Sequence, residues 1–342
     1  MLLDKTMSVA PLNIAQAADL VDLSIQKIFS KTSDPEPQYT KYYNVRSTED
    51  YYEKDSSLSG LGEADFVDEN SAIVSDTPIQ GYDKTYTQNM VAIIVSFTWK
   101  MWRFGIKKRD LNNVAKELKA SIARKREKLC AERLTNGFET TSYTHYGIGG
   151  TRTISIAGGD GLGLIDDDHT REDAGTNMNN YVYDGTTYNL PFDYSGLKAA
   201  HRTASLFVDP RGNPRPANLD TLVCKKGSAV HFKANEILGA IKAGKIPESM
   251  DNDAAAVPAF KILALDYLST AAYWWMFDSS RALTDAEGLQ FIESQPTTLD
   301  PVNVVYKTKE IQNSATTVFD LGHNDVARCW VGSKGDSSNP SD

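Results

Sequence analysis

The apolar positions of this chain change period several times, and each change marks an element. Over 12–30, Leu12, Ile14, Leu20, Val21, Leu23, Ile25 and Ile28 predict a short amphipathic helix or a docked arm. Residues 31–38 carry two prolines and read as a breaker. From 40 to 90 the chain turns Tyr-, Asp- and Ser-rich. Two strand-like stretches, 44–53 and 72–88, flank a polar tip at 56–70, which predicts a long hairpin with almost no core of its own. A two-stranded hairpin alone is marginal in water, so its order must come from packing against something else. An extended arm of this kind suggests a partner chain.

Residues 90–99 form a β-rich run. Asp110 then stands as a good N-cap, and Leu111, Val114, Leu118, Ile122, Leu129 and Leu134 mark one apolar stripe. The helix they predict runs to about Asn136, with Gly137 as its stop. Its stripe is narrow and its other faces are charged, the pattern of a helix lying across a surface rather than through a core. Beyond it the pattern predicts a strand at 151–157, a long polar loop at 158–180, a helix at 194–207 and a buried strand at 218–227. A helix follows at 231–244 with Phe232, Ile237, Leu238 and Ile241 on one side. Strands are expected at 260–268, 272–277, 288–294, 303–313, 315–322 and 325–332, then a frayed polar tail. The order describes an α+β protein without internal repeats.

At 342 residues the chain is too long for one ordinary small core, so two compact parts or one elaborate one are expected. No apolar run approaches the ~18 residues of a membrane-spanning helix. The N-terminus lacks a basic start followed by an apolar block, so no secretory signal is expected. Cys130, Cys224 and Cys329 are widely spaced and read as reduced, buried thiols of a cytosolic setting. The net charge is −9, but it is unevenly spread: 100–128 hold eleven Lys or Arg against three acids, and 47–86 hold ten acids against two Lys. A basic helix is compatible with nucleic acid, with a solvated face, or with the acidic segment as its partner, and nothing base-reading accompanies it.

Chemistry is sparse. The run from Gly158 to Gly163 resembles a dinucleotide turn, but Leu164 stands where a third glycine is needed and no helix opens after it. Asp160, Asp166, Asp167 and Asp168 read as a solvated acidic turn, or less readily as a weak divalent site, since they lack the alternating spacing of a calcium loop. His169 reads as a turn residue. Five scattered histidines give no zinc spacing. Ser24, Ser228 and His231 make no convincing triad. Trp274 and Trp275 read as core or interface residues. No catalytic, cofactor-binding or metal-binding residue is expected, and an enzyme reading has no anchor.

Four stretches in order carry a resemblance. They are the loop DGLGLIDDDHTREDAGTNMNN at 160–180, with Ile165 in an aromatic position and Asp168-His169 retained; the helix–turn–strand–helix segment 194–238; the aromatic strand pair within 267–294; and the closing stretch 318–335. Together they resemble the major capsid proteins of tailed double-stranded DNA bacteriophages, with the Hong Kong 97-type fold. The resemblance implies an N-terminal arm at 1–39, an extended E-loop hairpin at 40–90, and a peripheral domain at 91–180 with a spine helix at 108–136. It implies an axial domain at 181–290 and return strands to the peripheral domain with a polar tail at 291–342. It further implies hexamers and pentamers of the chain, a separate scaffolding protein, portal and decoration or tail-connecting proteins, non-specific contact with packaged DNA, and no membrane. The place implied is the virion, and the host cytoplasm during assembly. A cross-link between Lys54 and Asn313 of a neighbour is conceivable. Opposed charge then makes Glu53, Asp55, Glu63, Asp65 and Asp68 of the hairpin, and Arg124 and Arg126 of the helix, the candidate subunit-interface residues. The alternatives are a nucleic-acid-binding module using 100–128 and a hydrolase with an unrecognised site.

Overall fold

The computed structural model describes residues 23, 26, 27, 29–31, 36–58, 60–69, 71–73, 75–104, 108–243, 257–284, 287–325 and 327–340. The chain divides into two compact units, residues 1–37, 89–126 and 295–319 in the first and 38–88, 127–294 and 320–342 in the second. The arm and the helix expected over 12–30 lie mostly outside the described residues; those described between 23 and 31 are helical.

In the first unit β4 (Asn89–Thr98) pairs antiparallel with β12 (Glu310–Gly322), from Asn89↔Phe319 to Thr98↔Glu310. β11 (Asn303–Val305) pairs with the start of β12. The strand expected at 303–313 is therefore two strands around a tight turn, with Lys309 at φ 57°. No Gly, Pro, Asn or Asp stands between Val304 and Ile311 to mark the turn, so the pattern alone read as one strand. A short helix, α1 (Trp99–Phe104), follows β4, and α2 (Lys108–Thr135) follows that. Asp110, expected as the N-cap, lies two residues inside α2. Leu118 and Ile122 of α2 pack with Phe29 and Ala315, and Ala115 packs with Phe97 and Ile311, so the predicted stripe meets β12.

In the second unit four strands stand in the order β13 (Trp330–Ser333), β9 (Trp274–Phe277), β7 (Thr221–Lys225) and β8 (Lys261–Leu265). β7 runs parallel to β8 and antiparallel to β9, and β13 is antiparallel to β9. Both faces are covered, which is why β7 reads as an unbroken apolar run instead of an alternation. On one face Leu222, Cys224, Trp274 and Met276 meet Leu197, Ala200 and Ala204 of α3 (Tyr194–Ser205) and Val230, Ala234 and Ile237 of α4 (Ala229–Ala243). On the other, Trp275 lies 5.8 Å from Phe138, and Phe277 stacks on Trp330 at 4.5 Å. Phe232, expected on the buried side of α4, is 66% exposed. Val230, Ala234 and Ile237 follow the helical period, and Phe232 sits about 200° from either neighbour on that stripe.

α3 starts at Asp193, whose carboxylate accepts from Gly196 N at 2.7 Å. β1 (Tyr43–Ser47) runs parallel to β10 (Leu289–Leu299) over Tyr43–Ser47 and Leu289–Glu293. β5 (Ser142–Gly147) and β6 (Gly150–Ser155) form a hairpin of which only β6 was expected. A four-residue helix, α5 (Ser279–Ala282), completes the elements. Cys130, Cys224 and Cys329 are buried and joined in no disulfide, as expected.

Two loops differ from their predictions. The stretch 158–180 is not a solvated turn: Leu164 and Ile165 are fully buried, and Asp166 and His169 are buried beside them. Asn180 fastens it, accepting from Asp166 N at 2.9 Å and donating to Leu164 O at 2.9 Å. Gly137 admits this loop. A Cβ there would stand 2.8 Å from Leu164 Cβ, so the helix stop is a close approach of two backbones. The tail is fastened too, at least to Ser338. Asn189 accepts from Lys334 N at 2.8 Å and donates to Ser338 O at 3.0 Å. Among the described residues no helix is long and apolar enough to cross a membrane.

Candidate interaction surfaces

The hairpin is built from β2 (Tyr52–Leu58) and β3 (Gln80–Thr87), paired antiparallel from Tyr52↔Thr87 to Leu58↔Gln80 with an irregularity between Ser56 and Leu58. It is shorter than the sequence pattern suggested. Residues 43–47 leave it to join β10, and 72–79 form no strand. A turn at 48–51 separates the two uses of what read as one strand.

The base of the hairpin is anchored in the second unit. Tyr86 is fully buried against Gly322, where a Cβ would stand 2.1 Å from Tyr86 Cε1. Lys84 Nζ donates to Ala157 O at 2.7 Å, Asn324 Nδ2 donates to Tyr82 O at 2.9 Å, and the Tyr82 and Thr170 hydroxyls lie 2.8 Å apart. Behind this base Arg133 of α2 is buried. It donates to Leu321 O at 3.0 Å and Ile156 O at 3.3 Å, and lies 3.4 Å from His323 Nδ1. Burial, then the charges of Arg133 and Lys84, hold His323 well below the ordinary imidazole range. Burial first, and Arg133 second, also lowers the Lys84 ammonium.

The tip has no such support. Residues 60–69 and 71–79, so far as they are described, are exposed, and Leu61, Phe66, Val67 and Ile73 expose large apolar surface. One clasp holds its root. Arg211 Nη1 donates to both carboxylate oxygens of Asp76, at 2.9 and 2.8 Å, and Nη2 donates to Thr77 O. Gly62 N donates to the same carboxylate at 2.6 Å. These hydrogen bonds, Gly62 first and Arg211 second, hold the Asp76 carboxyl below its usual range.

The candidate interface residues therefore have different surroundings. Glu63, Asp65 and Asp68 are exposed on the tip. Glu53 and Asp55 sit on β2, and Arg46 of their own chain lies 3.6 and 3.5 Å from them. Arg124 pairs with Glu117 at 3.3 Å on the exposed side of α2. Arg126 points the other way, donating to Thr317 Oγ1 and lying 5.5 Å from the Phe319 ring. Reversing Arg126 thus strikes the subunit's own packing as well as any surface. Lys54 pairs with Asp83 at 2.5 Å, while Asn313 is buried and donates to Asp300 O at 3.3 Å.

In the acidic loop, His169 Nδ1 meets Asp160 at 2.7 Å, Asp166 accepts from Asp168 N at 3.0 Å, and Asp168 accepts from Asn177 at 3.2 Å. Burial pushes the Asp166 carboxyl up. The carboxylates turn to separate partners instead of converging. Among the described residues no group of three or more His, Cys, Asp or Glu is placed to hold a metal ion. The residues that sequence reasoning missed are Tyr86, Lys84, Arg133, Arg211, Asp76 and His323. For Arg133 a signal existed: it lies one turn beyond Leu129 and beside Leu134, on the buried stripe.

No family model matches the chain, and no curated protein matches it in sequence. Its fold is similar to that of solved chains from phages and from a GTA particle. The capsid of Ralstonia phage GP4 superposes with a TM-score of 0.53 at 12% identity, covering 91% of this chain and 94% of that chain. The capsid of an empty GTA particle, computed with C5 symmetry, gives 0.51 at 12% identity over 94% and 98%. A chain of Mycobacterium phage Adephagia gives 0.51 at 12% identity over 90% and 93%. The chain is thus an α+β protein with a capsid-type fold, in line with the Hong Kong 97-type resemblance of its sequence.

Proposed function

We propose that this chain is a major capsid protein, a structural subunit that assembles with its own copies into the icosahedral shell around the double-stranded DNA of a tailed phage. The observation that carries this reading is the likeness of fold from end to end, covering 91% of this chain and 94% of the phage GP4 capsid chain. Likeness of this extent leaves little of the chain for an added domain with another task. The exposed hairpin tip supports the reading physically. Ordering backbone costs about 1–2 kcal/mol per residue, and a tip with exposed Leu61, Phe66 and Ile73 regains that cost only against another surface.

In this reading residues 1–39 are the N-terminal arm, 40–90 carry the E-loop, and α2 is the spine helix of a peripheral domain at 91–180. Residues 181–290 are the axial domain, and 291–342 return to the peripheral domain. The partners are further copies in hexamers and pentamers, a separate scaffolding protein, a portal, decoration or tail-connecting proteins, and packaged DNA held without sequence preference. The site of action is the virion, with assembly in the host cytoplasm. Exposed Lys116, Arg124 and Lys128 on α2 offer charge to the acidic hairpin of a neighbour or to DNA phosphates.

Sedimentation and electron microscopy of the purified chain, with and without a scaffolding protein, test the proposal. Megadalton closed particles are expected; a species confined to small oligomers under every assembly condition refutes it. Filter binding across a salt series separates the nucleic-acid reading, because phosphate contacts give a steep salt slope.

A further inference from the structure

The second unit holds a cavity of about 350 Å³ formed by the loop 171–183 together with the end of α3 and the residues that follow it. Its wall carries Arg171 and Arg202 together with apolar Met178, Leu206 and Phe207 and, among the described residues, no carboxylate. Each guanidinium has a partner in the chain: Arg202 donates to Asp184 O and Arg171 pairs with Asp173. Arg171 Nε is buried with no hydrogen-bond partner. Leu206 is 69% exposed, a large apolar side chain left in water beside two cations.

The hairpin tip has the converse character. Glu63, Asp65, Asp68 and Glu69 surround Phe66 and Val67, all are exposed, and the Phe66 ring is fully so. In its own chain the tip stays out of the cavity, its root clasped by Arg211 at Asp76 and Gly62. An exposed aromatic flanked by acids matches an apolar hollow flanked by guanidiniums in both shape class and charge. Arg and aromatic anchors in such hollows dominate protein interfaces, while charge complementarity sets registry.

We infer that the Arg171–Arg202 cavity receives the tip 63–69 of a second copy of this chain. The Phe66 ring enters among Met178, Leu206 and Phe207, and the flanking carboxylates face the two guanidiniums. The inference rests on the shell-building reading and names where the hairpin of a neighbouring subunit docks.

Photo-cross-linking in assembled particles tests it. A full-length chain with Phe66→p-benzoylphenylalanine is co-assembled with an excess of unsubstituted chain labelled with ¹⁵N, irradiated, and digested for mass spectrometry. Light–heavy cross-links between position 66 and the segments 171–183 or 202–208 are expected. Cross-links only within one chain, only to other segments, or none at all from well-formed particles overturn the inference and leave the shell reading standing. Failure of the unsubstituted chain to form particles under any assembly condition overturns the shell reading, and this inference falls with it. Charge at the rim supplies a second readout. Leu206→Glu should reduce particle yield several-fold by repelling the acidic tip, whereas Leu206→Lys should match or exceed the unsubstituted chain. Equal yields from the two variants overturn the inference.

Discussion

Tyr86 and Gly322 make a quantitative test of how the hairpin is held. The Tyr86 ring is fully buried, so Tyr86→Ala removes a large side chain from a packed site and should cost about 3–5 kcal/mol. Gly322→Ala places a methyl 2.1 Å from Tyr86 Cε1, well inside van der Waals contact. The backbone of Gly322 is not in the left-handed region, so the cost is steric and should be about 1–3 kcal/mol. The two changes must couple. Once the ring is gone the methyl fills part of the vacated space, and alanine also restricts the unfolded chain, a gain of about 0.4–1 kcal/mol. The double variant should therefore be no less stable than Tyr86→Ala alone, giving an interaction energy of about 1–3 kcal/mol. Tyr86→Phe completes the set. The hydroxyl is buried without a hydrogen-bond partner, so its removal should be neutral or stabilising by up to ~1 kcal/mol. Denaturant titrations of unassembled subunit, followed by tryptophan fluorescence, measure all four. Additivity within ~0.5 kcal/mol, or a Tyr86→Phe cost above ~1 kcal/mol, refutes this account of the anchor.

Three further outcomes are expected. Arg211→Ala removes the only cation at Asp76 among the described residues, and limited proteolysis of the free subunit should then cut faster within 60–79 while the unfolding transition stays in place; unchanged cleavage would show that the clasp does not restrain the tip. Burial first, then the charges of Arg133, Lys84 and His169, put the folded pKa of His323 below the unfolded one; stability should be full above about pH 6.5 and fall as pH drops, His323 contributing up to ~1.4 kcal/mol per pH unit, so that His323→Gln removes that share of the slope while His201, also lowered by burial, retains its own. Gly196→Ala places a methyl 2.3 Å from Pro191 O, a backbone atom, and should lower the unfolding midpoint by the equivalent of about 1–3 kcal/mol; a midpoint within experimental error of the unsubstituted chain would show that the turn before α3 yields freely.

Local pattern determined much of this protein. The long helix, α3, α4, the buried strands β7 and β9 and the β-rich run of β4 all follow from apolar period, because each buries one stripe or both faces of a strand whatever its neighbours are. The cysteines and Trp274 and Trp275 went inside for the same reason. The exposed acidic tip was legible as well, since its apolar Leu61, Phe66 and Val67 follow neither a strand nor a helix period from which to build a core.

Tertiary structure decided what pattern leaves degenerate. No Gly, Pro, Asn or Asp marks the turn between β11 and β12, so only the Val304↔Ile311 pairing shows two strands. A polar loop and a buried loop have similar composition. Asp166, His169 and Asn180 are internal because their hydrogen bonds are met by residues up to sixteen positions away, which no local window contains. The same holds for the tail tied to Asn189 and for the Asp76–Arg211 clasp, whose partners stand 135 positions apart. Charge was the least legible property. Arg124 and Arg126 are two residues apart in one basic run, yet helical geometry turns them about 200° from each other, one toward Glu117 and the other onto Thr317 and Phe319. A sum of charges along a segment carries no direction; the helix period and the strand beneath it decide which cations a partner meets.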